Sequence, residues 1–330
     1  MRSKSLRILN GDDVRQAVSM VEAITAMKGA FAQLSAGKVT VPLRSSVETD
    51  EGIILFMPAY LKESGDLGAK VVSVYEGNPA LGLPTIMALV LVIDAQTGKP
   101  LAVMDGTYLT ALRTGAASGL ATELLARKEA QVVGLFGAGV QAKTQLEAVC
   151  QVRDIAVVRV LSRTSASAQR FAAEMRGRGK VPQRTEAVST PKEVVQGADI
   201  VITATTSPTP VFDGRDIGPG THINAIGAFT PQTREVDDII VRRAKIVVDS
   251  REACLAEAGD LLIPMDKGII SREDIHAELG EVVSGTRAGR ENDDEVTFFK
   301  SVGVAVQDVA VGRRILEEAI KKDLGTVVEI

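Results

Sequence analysis

The sequence predicts an α/β protein in which a doubly wound parallel sheet is joined to a second, α+β domain. Three observations carry this expectation. From about Thr114 onward, strand-like and helix-like runs alternate, which places helices on the faces of a parallel sheet. Before that point strand-like runs follow one another across short turns, as in an antiparallel or mixed sheet. In the third, an apolar run (Val132, Val133, Leu135, Phe136) enters Gly137-Ala138-Gly139-Val140-Gln141-Ala142 and then changes to helical spacing. A buried strand, a glycine turn and a helix opening at the turn make the dinucleotide-binding fingerprint in its GxGxxA form, so the parallel sheet is of Rossmann type. Gly137 allows the sharp turn, Gly139 lets backbone approach a pyrophosphate, and Ala142 lets the helix pack close to the strand. The helix start at Val140 and Gln141 offers N–H groups and a partial positive charge to phosphates.

Taken in order, Ser19-Met20-Val21-Glu22 has the form of a capping box. Behind it Ile24, Met27, Phe31 and Leu34 recur at helical spacing until Gly37. Strand-like runs follow at Val39–Val47, Gly52–Met57, Gly68–Tyr75, Ile86–Ile93 and Pro100–Met104, separated by Asp50-Glu51-Gly52, Gly77-Asn78-Pro79 and Thr97-Gly98-Lys99. Gly115–Arg127 is alanine-rich and reads as helix. Strand Gln131–Phe136 leads to helix Val140–Val152, and strand Val157–Leu161 to helix Ser165–Arg176. Thr190-Pro191-Lys192-Glu193 caps another helix with Pro at its first position. Strands Ile200–Ala204, His222–Ile226 and Lys245–Asp249 complete the alternation, and Phe298 to Ile320 reads as a helix that returns to the N-terminal half.

Composition narrows the class. With 330 residues, 45% of them hydrophobic, there is material for two domains. Tryptophan is absent, so the core draws on Val, Ile, Leu and Ala. A net charge of −4 with interspersed signs argues against nucleic-acid binding. Cys150 and Cys254 suggest neither a disulfide framework nor a zinc site, and read as small core residues. The first residues lack a signal peptide's apolar run, and the longest apolar segments are too short to cross a bilayer, so no membrane association and a cytoplasmic location are expected. His222 and His276 are the only histidines, which leaves no histidine metal cluster; His222 reads as a strand-entry residue. Asp237-Asp238 and Asn292-Asp293-Asp294-Glu295 read as surface or helix starts.

In NAD-binding folds an acidic residue ends the second strand and accepts from the ribose hydroxyls. Here that strand ends Val160-Leu161-Ser162-Arg163-Thr164, without a carboxylate. A guanidinium flanked by two hydroxyls suits a 2′-phosphate, with which Arg makes bidentate charge-assisted bonds. The blander reading is that Ser162 or Thr164 caps the next helix while Arg163 is solvated. With the fingerprint upstream, the sequence favours NADP(H) over NAD(H).

Three cations stand out: Arg44, Lys70 and Arg113. Lys70 sits in Gly68-Ala69-Lys70-Val71-Val72, an otherwise apolar strand, where a charge costs several kcal/mol unless it is paired. Singly, each reads as a surface or ion-paired residue. Converging on one pocket, they would bind a small carboxylate or a phosphate.

The segments Gly77-Asn78-Pro79, Gly82-Leu83-Pro84-Thr85, Met104 to Thr110, Leu112-Arg113-Thr114-Gly115-Ala116, His222 to Gly227, Glu257-Ala258-Gly259-Asp260 and Ser301-Val302-Gly303 through Gln307-Asp308-Val309-Ala310 resemble the ornithine cyclodeaminase/mu-crystallin family across essentially the whole chain. The resemblance implies a homodimer. It also implies a discontinuous substrate-binding and dimerisation domain of residues 1–115 and 303–330, beside a Rossmann dinucleotide-binding domain of residues 116–302. Arg44, Lys70 and Arg113 would line the substrate pocket, Arg113 and Thr114 would touch the cofactor, and Thr205, Ile226 and Ser301 would lie along it. Ser162-Arg163-Thr164 resembles the mu-crystallin strand end, which takes NADP, and Glu257 corresponds to a pocket residue there.

One departure bears on the reaction. The cyclodeaminases, and similar archaeal alanine dehydrogenases, carry an aspartate two residues after the Ile-Gly or Val-Gly turn, where Phe229 stands here. Phenylalanine moves no proton, which disfavours ornithine cyclodeamination. The expectation is therefore an NADPH-dependent reductase of cyclic imino acids, Δ1-pyrroline-2-carboxylate to L-proline or Δ1-piperideine-2-carboxylate to L-pipecolate. Arg44 and Arg113 would hold the carboxylate, with Lys70 or Glu257 as proton donor. The alternatives are an alanine dehydrogenase-like or opine-type amino-acid dehydrogenase, and a non-catalytic NADPH- and small-ligand-binding protein.

Overall fold

Side-chain caps fix where the first helices begin. In the computed structural model, which describes residues 5–329, β1 (Ser5–Leu9) ends at Asn10, whose side chain accepts from the N–H groups of Asp12 and Asp13 and starts α1 (Gly11–Ala17). Ser19 accepts from Glu22 N–H and starts α2 (Met20–Ser35), the capping box expected there. Gly37, at a φ of 68°, turns the chain after that helix. Next come β2 (Val39–Thr40), β3 (Ser45–Thr49), β4 (Gly52–Leu61), β5 (Asp66–Val74), β6 (Ile86–Asp94), β7 (Pro100–Asp105) and α3 (Gly106–Leu125). The run Val39–Val47 is thus not one strand. Pro42, which has no N–H for a ladder, lies in the gap, and Arg44 ends that gap just before β3. Helix α3 begins at Gly106, well before the alanine-rich segment.

The chain then runs β8 (Val132–Phe136), α4 (Val140–Val152), β9 (Val157–Leu161), α5 (Ser165–Met175), β10 (Thr185–Ala187), α6 (Pro191–Val195), β11 (Ile200–Thr203), β12 (His222–Ala225), α7 (Asp238–Arg243), β13 (Lys245–Val248), α8 (Arg251–Glu257), α9 (Gly259–Asp266), β14 (Ile275–Glu278), α10 (Leu279–Val283) and β15 (Thr297–Lys300), and closes with α11 (Ala305–Lys321) and β16 (Thr326–Glu329). Phe298 and Phe299 belong to β15 and not to the last helix. Thr297–Lys300 is buried throughout, and a short apolar run has no period by which to tell strand from helix.

Two compact units result, one from the two chain ends up to Arg113 and from Val304 on, the other from Thr114 to Gly303. The first holds a mixed sheet ordered β16-β1-β7-β6-β5-β4-β2, with β3 also on β4. Helix α11 packs on β4, β5 and β6 and on α2. The period-2 alternation of strands then separates two faces. Met57, Lys70 and Val90 form one buried cross-strand row, and Phe56, Val71 and Leu89 form an exposed one.

The second unit holds a wholly parallel sheet ordered β10-β9-β8-β11-β12-β15-β13-β14. Strand order reverses between β8 and β11, the switch point of a Rossmann-type fold, outside whose carboxyl ends ligands bind. Apolar cores lie on both faces, one around Leu146, Phe171 and Val133, the other around Phe212, Ile240 and Phe298. Cys150 and Cys254 are buried members of these cores, and neither forms a disulfide. Among the described residues no helix is long and apolar enough to cross a membrane.

Candidate active site

In the first unit, the alternation of β5 turns Lys70 onto the face that α11 covers. Its Nζ lies 2.8 Å from Asp308 of α11, and Arg113 Nε lies 3.0 Å from the other oxygen of the same carboxylate. Asp308 is fully buried and Lys70 is 2% exposed. Arg113 also donates to Gln307 Oε1, which in turn accepts from Val304 N–H at 3.3 Å. Burial pushes Lys70 down to about 8; Asp308 opposes that shift, while the charges of Arg113 and Arg44 add to it. Arg44, Lys70 and Arg113 are therefore brought together within this unit; Glu257 is the last residue of α8, in the second unit.

Asp308 and Gln307 entered the sequence reading only within a segment that carries the resemblance, and not as site residues. The signal was available: a carboxylate among Val306, Val309 and Ala310 in a helix is as conspicuous as Lys70 in its strand.

In the second unit, Gly137 follows β8 with a φ of 109°, and a Cβ there would lie 2.3 Å from Ala204 O, so no other residue fits the turn. Gly139 is the N-cap of α4 with no side-chain cap, and a Cβ built on it meets nothing within 4 Å. Space and uncapped N–H groups at a helix start are what a pyrophosphate requires, and Val140 and Gln141 form that first turn. Ala142 is fully buried, as close helix packing demands. Thr114, buried, opens the unit within α3.

At the end of β9, Thr164 is the N-cap of α5 and accepts from Ser167 N–H at 3.2 Å, the capping reading. Ser162 is half-buried and Arg163 exposed. Thr205, Ile226 and Ser301 follow the carboxyl ends of β11, β12 and β15. Each is next to or bonded to a buried carboxylate contact that sequence reasoning missed. Glu235 accepts from Thr205 and from Gly227 N–H, and Asp249 accepts from Ser301 Oγ at 2.7 Å and from the N–H groups of Val302 and Gly303.

His222 opens β12, fully buried between Thr297 and Asn224, and burial pushes it down to about 3. It is a neutral structural residue at neutral pH. Asp237 caps α7, accepting from Ile239 and Ile240 N–H.

The sequence model of the ornithine cyclodeaminase/mu-crystallin family matches residues 5–323. The chain belongs to that family. It is 40% identical over 325 residues to a Δ1-pyrroline-2-carboxylate reductase of Bacillus cereus, covering 98% of this chain and 99% of the relative. The structure of Thermococcus litoralis Δ1-pyrroline-2-carboxylate reductase in complex with NADH and L-proline matches with a TM-score of 0.93 and 45% identity, over 97% of this chain and 99% of that one. An archaeal alanine dehydrogenase dimer with bound NAD matches with a TM-score of 0.92 and 40% identity, over 99% of each chain. These three relatives, each matched along the full length, are two reductases and a dehydrogenase, and this family member is an oxidoreductase with a Rossmann-type nucleotide unit.

Proposed function

We propose that this enzyme reduces a cyclic imino acid, Δ1-pyrroline-2-carboxylate to L-proline, with Δ1-piperideine-2-carboxylate as its six-membered counterpart. The observation that carries the reading is the meeting of Arg44, Lys70 and Arg113, in which a buried ammonium with a lowered pKa lies among guanidinium groups. Arg44 and Arg113 bind the substrate carboxylate by charge-assisted hydrogen bonds and so fix the C=N bond. The nicotinamide cofactor, when bound, supplies the hydride that the C=N carbon accepts. Lys70 gives the proton that the ring nitrogen takes up, and its pKa near 8 leaves it both protonated at neutral pH and willing to release the proton. Asp308 holds Lys70 and Arg113 in place and keeps the Lys70 charge from being lost altogether. Phe229, which has no proton to move, stands against cyclodeamination.

The dinucleotide binds with its pyrophosphate at the start of α4, and Arg163 with Ser162 receives a 2′-phosphate, so NADP(H) is preferred over NAD(H). The bound NADH and NAD of two relatives are compatible with the same cradle lacking that phosphate. The exposed row Phe56, Val71 and Leu89 is covered by a second copy of the chain, which makes the enzyme a homodimer.

A second reading, an amino-acid dehydrogenase, is favoured by the likeness to alanine dehydrogenase. One spectrophotometric screen separates the two. Oxidation of NADPH and NADH is followed with five- and six-membered imino acids, and with pyruvate plus ammonia. Turnover of the preformed cyclic imines, faster with NADPH, is expected. Turnover of pyruvate with ammonia and none of the imines would replace the first reading by the second.

A further inference from the structure

Polar side chains that take no part in the proposed chemistry lie buried where β11, β12 and β15 end. Glu235 is fully buried, and both its oxygens are doubly engaged. Oε1 accepts from Thr205 N–H and from Thr205 Oγ1, both at 2.7 Å. Oε2 accepts from Thr203 Oγ1 at 2.8 Å and from Gly227 N–H at 2.6 Å. The fit is close, because a Cβ on Gly227 would lie 2.5 Å from Glu235 Oε1 and 2.2 Å from Thr205 O. Behind Glu235, Asp260 accepts from the N–H groups of Glu235 and Val236 at 2.7 and 3.0 Å. Its second oxygen pairs with Lys300 Nζ at 2.7 Å, and Lys300 donates to Ala228 O at 2.6 Å. One carboxylate therefore ties the segment leaving β11 to the segment leaving β12, and an ion pair anchors both.

We infer that Glu235 is a positioning residue for the nicotinamide half of the dinucleotide, locking the Thr203–Thr205 and Ile226–Ala228 segments into one cradle. The inference rests on the proposed reading of Thr205 and Ile226 as cofactor-lining. Four donors converge on Glu235, and two of them are backbone N–H groups, one on each oxygen. Threonine hydroxyls can rotate to accept, but a backbone N–H cannot. An amide at this position must therefore turn its own N–H groups toward one of the two, which loses that anchor and leaves a buried donor unpaired. Only a carboxylate satisfies all four.

The test is Glu235→Gln, with binding of NADPH and NADH compared with that of fragments carrying only the adenosine half, adenosine 2′,5′-bisphosphate and AMP. The dinucleotide Kd is expected to rise about tenfold or more, on the scale of one lost buried hydrogen bond, with the fragment Kd within about twofold. A Kd for whole and fragment that weakens equally would mean a general loosening of the unit and would overturn the inference, as would an unchanged dinucleotide Kd. If Glu235→Gln does not fold, Thr203→Val removes one donor at constant shape, and the same split is expected at about threefold. An unaltered protein that binds neither dinucleotide would overturn the nucleotide reading itself. Binding that is equal in unaltered and variant protein would overturn the positioning role alone.

Discussion

Lys70 and Asp308 form an ion pair at 2.8 Å from which solvent is almost wholly excluded, and Arg113 shares the same carboxylate. Without Asp308, burial and the two guanidinium groups would act on Lys70 unopposed. Asp308→Asn is therefore expected to cost about 3–5 kcal/mol of stability, the scale for breaking a buried pair, and to move the Lys70 titration below its present value near 8. Denaturant unfolding and the pH dependence of kcat measure the two effects.

The lowered pKa of Lys70 has opposite consequences for rate and stability. Both folded and unfolded chains hold the proton below about 8. Between that value and the ordinary 10.5 the unfolded chain binds more proton, so this group makes stability rise with pH across the window. Proton donation fails over the same window, so kcat for imine reduction is expected to fall above about 8. Lys70→Arg, which stays protonated, should abolish the inflection and lower kcat about 100-fold. A kcat flat from pH 7 to 10 in the unaltered enzyme would remove Lys70 as the donor.

Arg44 precedes β3 and carries no catalytic proton in this scheme. Truncation to Ala removes charge-assisted bonds to the substrate carboxylate worth about 1.5–3 kcal/mol, which corresponds to a rise of about 10- to 100-fold in KM for the imino acid. The KM for the dinucleotide should stay within about twofold. Steady-state kinetics with each substrate varied in turn checks both, and an unchanged imino-acid KM would remove the carboxylate role.

Arg163 is exposed beside Ser162 at the end of β9, while Thr164 is committed to capping α5. If the guanidinium receives a 2′-phosphate, Arg163→Ala should raise the NADPH KM about tenfold or more and leave the NADH KM within about twofold. Equal effects on both would assign Arg163 no part in the choice between them.

What could be read in the sequence was whatever depends on neighbours in the chain. Gly137 to Ala142 announce their turn because φ, close approach and packing are each a property of one residue. Caps at Ser19 and Thr190 were legible for the same reason. Lys70 was conspicuous as a charge in an apolar strand, but its partner is set by tertiary packing. Arg113 and Asp308 are 195 residues apart, and no local pattern joins them. Lys300 follows Phe298 and Phe299 as Lys70 sits among valines, and the same reasoning would have flagged it had the run been read as a strand. Strand β16 pairs Glu329 with Ser5, so it owes its place to the far end of the chain.

The outer face of the first unit's sheet carries a last prediction. Phe56, Val71 and Leu89 face one another across β4, β5 and β6 and are 41%, 38% and 57% exposed, with Met87 beside them on β6 at 39%. An antiparallel sheet can leave one face to water when that face is polar, and this one is not. Covering such a row with its own copy removes it from water at about 25 cal/mol per Å² of apolar surface. Leu89→Glu places a charge at the most exposed position of the row while leaving the buried alternation of Ala88 and Val90 untouched, so the subunit should fold and the dimer should dissociate. Sedimentation velocity is expected to show a dimer for the unaltered chain and a monomer for the variant at micromolar concentration. A variant that sediments as a dimer would place the subunit contact elsewhere.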